Sequence, residues 1–242
     1  MDMPVLGEFD LWMSTYFLTL RSPTLDGLTH FVLASELRIG VLAALLFYLW
    51  MVPEGTARLN VAFITRSIAG IVFAMVGVFI ARHLAPPQSR PRLGLTMLDF
   101  PPLDGLGHLA DFHSFPSDTA TLAAAITAII FIGSRHLGWL ALAWTLFAVS
   151  FPRIYVGYHY FSDIVAGLLL GASVALLVAK VPFAGLSRWS GWVQQRYQTH
   201  PAAIVLVLAL LANQIGEMFP VLQYLGAASR SYWEGSELSV SH

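Results

Sequence analysis

An arginine, a histidine and an aspartate stand at Arg153, His159 and Asp163 in the stretch FPRIYVGYHYFSD, residues 151–163, where a polar loop gives way to an apolar run. If the second half of this stretch is helical, His159 and Asp163 lie one turn apart on one face, so the carboxylate can hold the imidazole in a chosen tautomer and support positive charge on it. A histidine held this way can act as a nucleophile. Two further elements carry related chemistry. Arg90-Pro91 supplies a second guanidinium, and Phe115-Pro116-Ser117-Asp118 places a serine at the N-cap of an apolar run, where backbone N–H groups attract an anion. Arginines make forked, charge-assisted hydrogen bonds to phosphate oxygens, so the chemistry suggested is phosphoryl transfer.

The elements that must position these groups are membrane helices. The 242 residues are 57% hydrophobic and 11% charged, against a soluble average of about 25% charged. Six segments are apolar enough, or nearly long enough, to cross a hydrocarbon core: 30–52, 60–82, 117–134, 137–151, 161–180 and 202–225. The fourth is short and is expected to end at Pro152. Residues 6–25 are too interrupted to span and suit a helix lying in the interface. The expected fold is therefore all-α: a polytopic membrane protein with a six-helix transmembrane bundle and an N-terminal interfacial helix, forming one domain over residues 1–242. The segment 83–116 is longer than most structureless connections, which marks it as a functional loop.

Loop charges give the orientation. Arg58, Arg135, Lys180, Arg188 and Arg196 oppose only Glu54 on one side, which is read as cytoplasmic. Arg82, Arg90, Arg92 and Arg153 share the other side with Asp99, Asp104, Asp111 and Asp118, so the 83–116 loop and the candidate site are extracytoplasmic. Glu36 and Arg38 in the first span, and Asn213, Gln214 and Glu217 in the last, either pair structurally or line a substrate route. A net charge of −1 offers no basic surface for nucleic acid, and the absence of cysteine removes thiolate chemistry. The amino terminus lacks the basic region of a cleavable signal peptide.

With Arg90-Pro91, Phe-Pro-Ser and Arg-x5-His-x3-Asp in this order on one side, the chain resembles the type 2 phosphatidic acid phosphatase (PAP2) superfamily. That family's signatures are Lys-x6-Arg-Pro, Pro-Ser-Gly-His and Ser-Arg-x5-His-x3-Asp. The third is matched at full spacing, with Pro152 in the serine's place. The first has His83 at the lysine position with Arg82 beside it, and the second keeps Pro116 and Ser117 but has Asp118 and Thr119 for glycine and histidine. HSFPSDTAT and RIYVGYHYFSD are similar to the bacterial undecaprenyl-diphosphate phosphatase branch, where Ser-Phe-Pro-Ser-Asp-His is usual, so Thr119 is the departure that matters.

The resemblance implies that His159 attacks phosphorus and becomes phosphohistidine while Asp163 orients it. It further implies that Arg90, Arg153 and Ser117 hold phosphate, with Arg82, His83 and Asp118 as further phosphate-site candidates. The histidine that would protonate the leaving oxygen is replaced by Thr119; His113, or His108 with Asp111, could stand in for it. No cofactor is implied, and His108, Asp111 and His113 lack a specific metal-binding spacing. The expected partners are membrane lipids and a lipid phosphate or diphosphate substrate, in a bacterial inner membrane with the site facing the periplasm or outside. Three readings follow: a polyprenyl diphosphate phosphatase, a lipid phosphotransferase or phosphatase for another lipid phosphate, and a catalytically silent lipid-phosphate binder.

Overall fold

A computed structural model describes residues 5–34, 37–51, 61–101, 114–180 and 184–216. In chain order the helices are α1 (Val5–Thr19), α2 (Pro23–Ala34), α3 (Leu37–Met51), α4 (Val61–Leu84), the short α5 (Pro91–Gly94), α6 (Asp118–Gly133) and α7 (Arg135–Trp144). A π-helical segment (Thr145–Ser150) follows, then α8 (Phe151–Tyr155), α9 (Phe161–Lys180), α10 (Ala184–Thr199) and α11 (Pro201–Gly216). No strand occurs among the described residues.

The core is α6. Every residue from Thr119 to Ile130 is buried, as befits a helix apolar on all sides. Packed on it are α3, α4, α7 and α9. The outer faces of α4 and α9 expose Val72, Phe73, Val76, Phe79, Leu169 and Leu177, an apolar surface suited to lipid rather than water. Together these features make the chain a multi-pass membrane protein.

Among the described residues, three helices are long and apolar enough to cross a membrane: Val61–Leu84, Arg135–Tyr155 and Phe161–Lys180. A fourth is added if α2 and α3, bent by 56°, make one span. The other two of the six expected spans fall on the shorter apolar helices Asp118–Gly133 and Pro201–Asn213. Residues 217–225 of the expected last span lie outside the described residues, as do Glu36 and Glu217. The expected 6–25 helix is interrupted: α1 ends at Thr19, and Pro23 opens α2, because proline fits a first helical turn and not an interior.

The fourth span does not end at Pro152. It continues to Tyr155 because the π segment just before the proline changes the hydrogen-bond register, so the missing N–H falls where α8 begins. That extension places Arg153 one turn from the chain reversal that leads to His159.

Close approach of α9 to α6 depends on Gly167 and Gly171. A Cβ at Gly167 would stand 2.5 Å from the Ser117 carbonyl oxygen, and one at Gly171 2.0 Å from that of Thr121. Small residues four apart allow such contact between membrane helices, and here they bring Asp163 beside the start of α6. Gly171→Ala is therefore expected to force the helices apart and destabilise the fold by about 1–3 kcal/mol, the usual cost of overpacking. Thermal unfolding in detergent checks this; an unchanged midpoint would refute the close-packing account.

Candidate active site

The reversal between α8 and α9 explains why the arginine and histidine stand six positions apart. Gly157 has φ of +74°, a conformation natural to glycine, and it turns the chain back at the end of α8. The Arg153 carbonyl then accepts from both Tyr158 N–H (2.9 Å) and His159 N–H (3.2 Å). Arg153 thus fixes the histidine through its backbone, while its guanidinium donates to the Val149 carbonyl (3.1 Å) and to Thr119 Oγ1 (3.1 Å).

His159 precedes α9 rather than lying within it, so it does not share a helical face with Asp163. The two nevertheless meet, with His159 Nδ1 3.6 Å from Asp163 Oδ2. The closer partner of Nδ1 is the Ser114 carbonyl oxygen, at 2.9 Å. A carbonyl only accepts, so it fixes the hydrogen on Nδ1 and leaves the lone pair on Nε2. The tautomer expected from the carboxylate is therefore set mainly by Ser114, whose hydroxyl donates to Asp163 Oδ2. Asp163 also accepts the Tyr160 N–H at 2.9 Å.

Ser114 is the residue that sequence reasoning passed over. It was visible only as the serine of Ser-Phe-Pro-Ser-Asp, and a residue acting through its backbone carbonyl leaves no side-chain signal. It also joins two motifs, since its N–H donates to the Gln88 carbonyl at 3.0 Å, two residues before Arg90.

Arg90 faces the other side of the imidazole. Its Nη1 donates to the Tyr158 carbonyl (2.9 Å) and lies 3.4 Å from His159 Nε2. Its buried Nε–H has no partner among the described residues. A buried guanidinium with an unused donor beside a nucleophilic nitrogen is suited to an anion. Arg82, not His83, reaches this end of the bundle: it lies 3.4 Å from the Pro116 carbonyl and 3.2 Å from Asp118 Oδ2. His83 is exposed, with Nδ1 2.8 Å from the Phe79 carbonyl and its ring against Phe79.

Ser117 caps α6, accepting the Ala120 N–H at 3.4 Å, and its own N–H donates to the Asp163 carbonyl at 3.2 Å. The Thr119 N–H donates to Asp118 Oδ1 at 2.7 Å. Three of the amides at the start of α6, those of Ser117, Thr119 and Ala120, are thus already engaged. Asp118 is a carboxylate paired with Arg82 and can serve a phosphate only by holding that arginine. Thr119 sits between Asp118 and Arg153. His108, Asp111 and His113 lie outside the described residues. Arg38 donates to the Leu33 carbonyl at 3.0 Å, a bond that ties the start of α3 to the end of α2.

His159 is 3% exposed. Burial lowers its pKa from the ordinary value; the hydrogen bond that Nδ1–H gives to Asp163 opposes this and the charge of Arg90 adds to it. The neutral imidazole, with Nε2 free, therefore persists to lower pH than an ordinary histidine of pKa ~6.5. Nitrogen NMR of the ring is expected to give a protonation midpoint below ~6.5, moving up in Arg90→Gln and down in Asp163→Asn. A wild-type midpoint above the ordinary value would contradict this geometry.

Residues 86–186 match the PAP2 superfamily. The chain is 27% identical over 170 residues to an undecaprenyl-diphosphatase, BcrC, of Bacillus subtilis, covering 70% of this chain and 81% of that protein. It is 28% identical over 196 residues to a lipid A 4'-phosphatase of Porphyromonas gingivalis, covering 78% and 79%. An undecaprenyl-diphosphatase of Sulfolobus acidocaldarius is 25% identical over 138 residues, covering 57% and 62%. No solved structure matches the chain.

Proposed function

We propose, for a chain whose residues 86–186 are a PAP2 superfamily domain, that it removes the terminal phosphate of a polyprenyl diphosphate lipid through a phosphohistidine on His159. The observation that carries this reading is the orientation of His159: Nδ1 bound to the Ser114 carbonyl, and Nε2 turned toward Arg90. In-line attack of Nε2 on the terminal phosphorus forms the P–N bond as the P–O bond to the lipid monophosphate breaks. Positive charge that develops on the imidazole is stabilised at Nδ1 by the Ser114 carbonyl and by Asp163. Arg90, Arg153 and the Ser117 hydroxyl hold the equatorial oxygens, and Arg82 fixes Asp118. Water then cleaves the P–N bond and releases phosphate.

The site stands at the end of the bundle where α4 and α8 finish and α6 and α9 begin. We place this end at the extracytoplasmic face of a bacterial inner membrane, with six crossings and α1 lying in the interface. α1 supports that placement: it exposes Phe9, Trp12 and Tyr16 while burying Asp10 and Ser14, an inversion suited to apolar surroundings. The lipid A 4'-phosphatase among the relatives supports a second reading, hydrolysis of another lipid phosphate.

The test offers purified protein a polyprenyl diphosphate, a phosphatidic acid and a lipid A, with and without an acceptor lipid, and measures free phosphate. Release from the diphosphate foremost supports the first reading. Release from lipid A alone selects the second, release only with acceptor selects transfer, and none from any substrate selects a silent binder.

A further inference from the structure

The first turn of α9 carries Asp163, yet it lacks the usual means of holding itself together. An N-cap residue normally accepts the N2 or N3 N–H with a short side-chain oxygen. The N-cap position here is Tyr160, whose carbonyl accepts the first helical bond from Ile164 N–H at 3.3 Å; its phenol cannot do the work of a serine. Half of a capping box is present, because Asp163 at N3 reaches back to the Tyr160 N–H. The other half comes from α1. Asp10, 3% exposed, accepts the Ser162 N–H at 3.0 Å and the Ser162 hydroxyl at 2.5 Å.

We infer that Asp10 is a positioning residue for the reaction, completing the cap of α9 from a separate helix and so keeping Asp163 on Ser114 and His159. The neighbouring contacts run the same way: Phe9 meets Phe161 edge to face at 5.8 Å, and Phe17 meets Phe151 at 5.6 Å, so α1 grips both sides of the reversal that carries His159. Burying a carboxylate is costly unless its hydrogen bonds repay it, and Asp10 sits close to a second carboxylate, Asp163, which raises the cost. A buried acid beside another acid is poor design for stability alone, and the Ser162 bonds give it a purpose. Loss of the cap frays the first turn, and in the frayed fraction Asp163 leaves Ser114 while Arg90, Arg82 and Arg153, held by other elements, stay in place. The effect therefore falls on turnover rather than on substrate binding.

The inference rests on the phosphatase reading for its kinetic test and on the fold alone for its structural test. Asp10→Ala, Asp10→Asn, Ser162→Ala, wild-type and His159→Ala proteins are compared on undecaprenyl diphosphate in detergent, with thermal unfolding as the folding control. Asp10→Ala is expected to lose kcat by about tenfold, the size of a typical lost cap, with KM within about twofold. Asp10→Asn keeps an acceptor oxygen and is expected to recover most of that loss; if it is as impaired as Asp10→Ala, the cap is not the cause.

Hydrogen exchange at the amides of residues 161–164 is expected to speed up in Asp10→Ala and far less in Asp10→Asn. That readout holds whether or not phosphate is released, so background release by wild type would sink the phosphatase reading alone. Unchanged exchange in folded Asp10→Ala would overturn the capping role. Wild-type kcat in that variant would overturn the link to catalysis. Should Asp10→Ala fail to fold, the double variant Asp10→Asn, Ser162→Ala carries the test, because it loses the Ser162 hydroxyl bond and leaves only a neutral acceptor for the Ser162 N–H: a loss of kcat at constant KM supports the inference, and wild-type kcat overturns it.

Discussion

Replacing His159 by alanine is expected to reduce phosphate release from a polyprenyl diphosphate to background, a loss of roughly 10⁴-fold or more for a residue that forms the covalent intermediate. The size of the effect follows from how little else near His159 could attack. Among the groups around it, Arg90 and Arg153 are cations, Ser117 Oγ is engaged as the cap of α6, and Asp163 is tied to Ser114 and the Tyr160 amide. Substrate affinity should change little, because the guanidiniums remain. Incubation with diphosphate labelled in its terminal phosphate and an alkaline denaturing quench should trap nothing on the variant, whereas wild type should carry base-stable label that acid removes. Label retained by His159→Ala would move the nucleophile elsewhere and undo the proposed mechanism.

The second large effect concerns the leaving group. No histidine stands at Thr119, whose hydroxyl is held between Asp118 and Arg153. A lipid alkoxide, about as basic as hydroxide with water's pKa of ~15.7 as a guide, leaves poorly without an acid. A phosphate monoester, with a second pKa of about 6, leaves readily. General acid help is worth roughly 10²–10⁴-fold, so wild type is expected to favour a diphosphate over phosphatidic acid by a margin of that order. Thr119→His should raise the phosphatidic acid rate more than the diphosphate rate. Equal gains would refute the leaving-group account, and equal wild-type rates would mean that another residue supplies the proton. Because Thr119 is buried, thermal unfolding of the variant must accompany the rates.

The residues of the candidate site were legible because they lie close together in sequence. Arg153, His159 and Asp163 lie within eleven residues, and their side-chain types announce an activated histidine. The lipid-facing character of the chain was equally plain from composition. What misled was the assumption that an i,i+4 pair is made by helix geometry. Gly157 reverses the chain before α9 starts, so the pair is assembled by a turn and a cap. Pro152 misled similarly, since a proline normally stops a helix and only the preceding π segment lets this one continue.

Residue types and spacing alone determined that the chain is built of membrane helices, as its described residues are, and that it carries a histidine, a carboxylate and several arginines of the kinds that suit a phosphate. Tertiary structure decided how they work together. It chose Arg82 over His83 by the direction each leaves α4, engaged the Ser117, Thr119 and Ala120 amides within the protein, and gave the histidine's tautomer to the Ser114 carbonyl. It also brought Asp10 across 152 positions of sequence to cap α9. Side-chain chemistry is written in single letters, but backbone carbonyls are the same at every residue. Where one of them accepts a hydrogen bond, or which distant helix end lacks a cap, is settled only by packing.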